Sequence, residues 1–120
     1  MVSVPGFLLR RLYVKGSLAN SPEGVRFQLK NSLGSGSAKA MLPVSIDGVP
    51  YPLEDSVFIA EGAEVPFSSV SEEKPFAIAM NKEISILVKG ASLEPGSHKL
   101  GMGFVVPGLG ELKFDVKDSI

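Results

Sequence analysis

The sequence predicts an all-β protein: a single antiparallel β-sandwich over residues 1–120, with immunoglobulin-like or Greek-key connections. Three observations carry this. Apolar residues recur at every second position in short runs, the period of a strand with one face in water. Thirteen glycines and nine prolines in 120 residues fall between those runs as punctuation rather than in one tract. No apolar pattern of helical period continues long enough for a long helix.

The elements follow in order. Residues 8–18 alternate, with Leu8, Leu12 and Val14 on one face and Leu9, Arg11, Tyr13 and Lys15 on the other, although Arg10 interrupts the first face. "ANSPEG" (19–24) is a connection between antiparallel strands. "VRFQLKN" is the clearest strand: Val25, Phe27 and Leu29 point one way and Arg26, Gln28 and Lys30 the other. "SLGSGS" (32–37) reads as a loop. Its Gly34 and Gly36 suggest a phosphate cradle, but no helix N-terminus follows to fix the amides, so a plain connection is the better reading. "AKAMLPVSIDGVPYPL" reads as a strand that turns at Asp47-Gly48, because a two-residue hairpin needs positive φ at its centre. Pro50 and Pro52 cannot donate to a ladder, which assigns the short strand beyond that turn to a sheet edge.

Val57 to Ile59 and Val65 to Phe67 are brief strands. Residues 68–75 have room for one helical turn capped by Ser71 and stopped by Pro75. The C-terminal third is the most regular. Ile84, Ile86 and Val88 share a face, as do Leu100, Met102, Phe104 and Val106, with Gly101 and Gly103 opposite. Leu112, Phe114 and Val116 point inward in the last strand, joined to its predecessor by the hairpin "PGLG" (107–110). The expected total is about seven to nine strands, the usual complement of such a sandwich.

Composition narrows the function. Twelve basic and thirteen acidic residues are interspersed, and no Lys/Arg cluster longer than Arg10-Arg11 exists, so the footprint of a nucleic-acid binder is missing. The longest apolar run near the N-terminus, Phe7-Leu8-Leu9, is too short for a signal core or a membrane span. The expectation is a cytoplasmic protein that engages no membrane and no nucleic acid. Zero cysteines rule out disulfides and thiolate metal sites, and one histidine cannot furnish the usual zinc set. The acidic pairs Glu54-Asp55 and Glu72-Glu73 are strand neighbours that point apart, so no calcium loop is expected and no cofactor is assigned.

Catalysis would have to use His98, the one histidine, as base, and no nucleophile elbow accompanies it. Its context "LEPGSHKLGMGF" favours a structural role. In this reading Leu93 anchors a sheet-crossing loop in the core, Pro95-Gly96 turns it, and the His98 ring bonds back to the loop backbone as in a tyrosine corner. Two features suggest a partner. Leu109 lies at a hairpin tip, where a large apolar side chain would face water. Phe76, Ile78 and Met80 either form an ordinary buried strand, which the pattern favours, or an interaction surface.

"VSIDGVPYP" (44–52), the corner "LEPGSHKLGMGF" and "GLGELKFDVKDSI" together resemble the small β-sandwich family that includes the beta subunits of bacterial C-glycoside deglycosidases. On that resemblance Asp47, Gly48, Pro50, Pro95, Gly96 and His98 match as fold-defining positions. It implies an accessory subunit whose partner, a larger metal-dependent barrel, carries the chemistry. The function expected from the sequence is therefore a non-catalytic accessory or interaction subunit, with a barrel-type protein or a second copy as partner. The alternative is a stand-alone small-ligand or carbohydrate-binding module. A minimal enzyme using His98 with a nearby carboxylate stands behind both.

Overall fold

In a computed structural model, residues 6–31, 36–60, 62–78, 82–108 and 110–120 are described. Two sheets face one another. The first has five strands in the order β1 (Ala19–Ser21), β2 (Gly24–Lys30), β9 (Glu83–Lys89), β6 (Ser56–Ala60) and β7 (Ala63–Pro66). The second has four: β11 (Gly110–Ser119), β10 (Ser97–Val106), β4 (Ala40–Ile46) and β5 (Val49–Pro50). A separate two-stranded piece pairs β3 (Gly36–Ala38) with β8 (Phe76–Ile78). Every pairing is antiparallel. The protein is thus an all-β sandwich, and short pieces such as β1, β3 and β5 bring the strand number above that expected.

The alternation read from the sequence sets what lies between the sheets. Val25, Phe27 and Leu29 of β2 pair with Val88, Ile86 and Ile84 of β9, and all six are buried. Leu100 and Met102 of β10, Leu112 and Phe114 of β11, and Met41, Val44 and Ile46 of β4 face them from the other sheet. Each such side chain withdrawn from water contributes roughly 1.5–3 kcal/mol, which is what holds two sheets together without a disulfide. Leu87 and Val57 are also buried, but as partners on the opposite face of the first sheet from Ile86 and Phe58.

Several local readings change. "ANSPEG" is more than a connection, because Ala19–Ser21 pairs with β2 and Gly24 already belongs to β2, and Gly36 and Ser37 at the end of "SLGSGS" pair with β8. The N-terminal stretch is not a strand: Gly6–Leu9 is one helical turn and Arg10–Leu12 a 3-10 turn. Leu9 and Leu12, assigned to opposite faces by period two, are both buried because residues three apart share a helical face. The expected turn capped by Ser71 is not helical either. The Ser71 hydroxyl accepts the Lys74 N–H in a bend, and the 3-10 turn sits earlier, at Phe67–Ser69.

The "DG" turn holds as read. Asp47 has φ +53° and Gly48 φ +85°, the two positive values that a type I′ hairpin needs. β5 beyond it lies at the edge of its sheet, where Pro50 leaves no ladder bond unmade.

Candidate functional site

His98 is the second residue of β10, just after residues 90–96 have carried the chain from the first sheet to the second. Leu93 packs against the core from this loop. Asn20 clamps its backbone twice: Nδ2 donates to Leu93 O at 2.7 Å, and Oδ1 accepts from Leu93 N at 2.9 Å. Pro95 and Gly96 are exposed, and Gly96 exchanges two backbone bonds with Ile120. The loop is therefore tied to β1 on one side and to the end of β11 on the other.

The structure brings together two features that the sequence presented separately, the corner and the "DG" turn. His98 Nδ1 lies 2.7 Å from Asp47 Oδ2, and His98 Nε2 lies 2.7 Å from Glu94 O. Asp47 Oδ1 accepts the Lys99 N–H at 2.9 Å, and Asp47 N donates to Lys99 O at 2.8 Å. A carboxylate and a carbonyl have no proton to give, so both ring contacts are hydrogen bonds only when both nitrogens are protonated. The geometry selects the imidazolium.

The acid–base consequences follow from these bonds. The bond to Asp47, and then that to Glu94 O, hold His98 above its ordinary value of 6.5. The bond to His98, and then that from Lys99 N–H, hold Asp47 below its ordinary 3.8. A raised imidazole stabilises the fold fully below its unfolded value and ceases to as pH climbs through the folded one. A depressed carboxyl stabilises above its unfolded value and ceases to as pH falls through the folded one. The corner is therefore firmest between 3.8 and 6.5. A series of thermal midpoints against pH will fall on the alkaline side of that window, and His98→Gln will flatten the alkaline limb and also shrink the acid one, where the Lys99 N–H still holds Asp47. An alkaline limb unchanged by the substitution would contradict the imidazolium assignment.

A second tie was missed by the sequence reading. Tyr13 donates its hydroxyl to Asp118 Oδ2 at 2.6 Å, Gly16 N–H to the same oxygen at 2.8 Å, and Ser119 N–H to Asp118 Oδ1 at 2.9 Å. Burial alone would raise Asp118, but the Tyr13 hydroxyl and these N–H groups outweigh it and hold the carboxyl below its ordinary value. Burial also pushes the Tyr13 phenol up, and the carboxylate beside it adds to the shift. The signal was available: Asp118 continues the inward period of Leu112, Phe114 and Val116, where a carboxylate needs partners.

Of the candidate contact residues, Phe76 turns its ring onto Phe58, with centroids 3.8 Å apart, and is half-buried. Met80 and Leu109 lie outside the described residues. Among the described residues, no three His, Cys, Asp or Glu side chains come together as a metal site, and no helix is long and apolar enough to cross a membrane. A surface depression lies on the outer face of the four-stranded sheet. It measures about 530 Å³ and is lined by Leu42, Pro43 and Pro50 along one side and Lys99, Lys113 and Asp115 along the other. Gly101 and Gly103 form its floor, where a Cβ would meet Ser45 Oγ at 2.3 Å or Leu42 Cδ1 at 2.7 Å.

A comparison with curated proteins finds no match. Residues 8–120 match the family model described as hydroxymethylglutaryl-CoA reductase, N-terminal domain. That match overturns the resemblance to C-glycoside deglycosidase beta subunits, and with it the ground for a sugar-active barrel as partner. The shared residues misled for a physical reason. Asp47-Gly48 is what a two-residue hairpin demands and Pro95-Gly96 is what a sheet-crossing corner demands, so these motifs follow turn geometry in unrelated sandwiches. The match runs through every strand of both sheets, from Leu8 to Ile120, and the chain belongs to the family of hydroxymethylglutaryl-CoA reductase N-terminal domains.

Proposed function

We propose that this chain is a non-catalytic accessory module that serves a separate catalytic unit, and that the unit is a hydroxymethylglutaryl-CoA reductase. The observation that carries the reading is the state of His98. Its two ring nitrogens are taken by Asp47 and Glu94 O, so the one imidazole in the chain has no lone pair with which to accept a proton from a substrate. The family supports the second half, because its name describes a domain of a reductase and not the reductase entire. An accessory module also suits the aromatic residues. Phe27, Phe58 and Phe67 are buried in the core, leaving few rings for the platforms that a carbohydrate binder uses. The expected compartment is the cytoplasm, where a cysteine-free chain loses nothing for want of disulfides.

The test has two arms. The purified chain, supplied with hydroxymethylglutaryl-CoA and a reduced nicotinamide, should oxidise no nicotinamide above background. Mixed with the reductase catalytic unit of the same organism, it should co-elute in size-exclusion chromatography at micromolar concentration. Substrate-dependent oxidation proportional to the concentration of this chain alone would overturn the non-catalytic reading. Independent elution of the two proteins would overturn the choice of partner.

A further inference from the structure

Two shallow grooves meet at Asp115 on the outer face of the four-stranded sheet. The first is the apolar-walled depression floored by Gly101 and Gly103. The second, about 410 Å³, lies beside the N-terminal turns and is lined by Arg10, Tyr13, Lys15, Val116 and Lys117 as well as Asp115. Together the grooves present five cations, Arg10, Lys15, Lys99, Lys113 and Lys117, around the single carboxylate of Asp115. This concentration stands out in a chain whose formal net charge is −1.

The carboxylates nearby do not neutralise it. Asp115 is shared between Lys99 at 3.4 Å and Arg10 at 3.9 Å, and Lys113 reaches Glu111 at 3.5 Å. Lys15 and Lys117 are exposed and have no ion-pair partner among the described residues. A field of one sign over an open face draws a partner of the opposite sign and governs how fast it arrives. Small-molecule sites enclose most of their ligand, whereas this face is an open sheet surface with apolar strips between the cations. The shape suits an extended chain laid across it. Leu42, Pro43 and Pro50 would meet its apolar side chains and the lysines its carboxylates.

We infer that the outer face of β4, β10 and β11 is a docking surface for an acidic polypeptide segment with interspersed apolar residues, carried by the catalytic partner. The inference rests on the accessory reading above for the identity of the partner, and on the face alone for its chemistry. The probe is a short synthetic peptide alternating glutamate and leucine, titrated into the ¹⁵N-labelled full chain and followed by amide chemical shifts. The expected result is saturable shifts at Gly101, Gly103, Lys113 and Lys117, weakened by added salt, and absent with a lysine–leucine peptide.

The double variant Lys15→Glu/Lys117→Glu changes two exposed side chains without touching the core. It should weaken the peptide roughly tenfold, the effect expected when two exposed pairs are lost and become repulsive. No saturable shift, or shifts confined to other faces, would overturn the docking surface. Inorganic triphosphate moving the same amides with equal affinity would overturn the polypeptide in favour of a small anion. Titrating the reductase catalytic unit separates the two readings. A unit that binds wild type and double variant equally leaves the accessory role standing and removes this face from it. A peptide that binds while the unit does not leaves the face standing and removes that partner.

Discussion

Phe58→Ala will destabilise the protein by about 4 kcal/mol, the middle of the range for emptying a buried phenylalanine site. Phe58 is 2% exposed and stands between two other rings, Phe67 with its centroid at 4.4 Å and Phe76 at 3.8 Å. The three come from β6, from the 3-10 turn after β7 and from β8. The middle ring is thus what joins the first sheet to the two segments that cross its end. Alanine removes both stacking contacts, each worth about 0.5–1.5 kcal/mol beyond the area buried, and leaves a cavity that the flanking rings cannot fill without moving their own strands.

Domains of this size are stable by about 5–15 kcal/mol, so the variant should fold but melt on the order of 15 °C lower. Urea unfolding followed by tyrosine fluorescence or circular dichroism measures the change. Phe58→Leu, which refills most of the volume, should recover more than half of the loss. A cost below about 1 kcal/mol for the alanine variant would mean that the three-ring stack is not a structural unit.

That stack shows where the sequence stops being informative. β2 was legible because its residues from Val25 to Lys30 alternate between the dry and the wet side of the sheet, and only period two satisfies that. The turn at Asp47-Gly48 was legible because its backbone demand is local. "SVFIA" has no such mark. Ser56, Val57 and Phe58 are consecutive and all buried, since both faces of β6 are covered at that point, so alternation could not say which of them met the core.

The N-terminal turns were misread for a related reason. Four leucines in eleven residues fit two periods, and only the packing of these turns against β11 and the core decides between them. The functional surface was still less accessible. Lys15, Lys99 and Lys117 are far apart in sequence and look like ordinary solvated charges until β10 and β11 are paired with Lys99 opposite Lys117. The corner falls between these cases. The sequence suggested that His98 bonds its own loop, but the Asp47 carboxylate that fixes its charge arrives from a different hairpin, 51 residues away.

Gly24→Ala is the second large effect, and it inverts the usual reading of a glycine after "SPE". Gly24 is the first residue of β2, paired with Lys89 at the end of β9. A methyl group there would lie 2.0 Å from Val88 O and 2.9 Å from Lys89 Cα, both backbone atoms that cannot rotate aside. Relief requires β2 and β9 to separate where Val25 and Val88, each fully buried, close the end of the core. Overpacking of this kind costs about 1–3 kcal/mol, and contact with backbone puts this site at the upper end, about 3 kcal/mol.

Gly48→Ala supplies the contrast. A methyl group at Gly48 meets no atom within 4 Å, and the expected cost is the left-handed penalty alone, about 1 kcal/mol. Chemical denaturation of the two variants beside wild type measures the difference directly. Amide exchange should then show the Gly24 variant opening at the β2–β9 end, with protection of β10 and β11 retained. Equal costs for the two alanines would mean that β2 and β9 do not approach as closely as the structure has them, and that the glycine serves the turn before β2 instead.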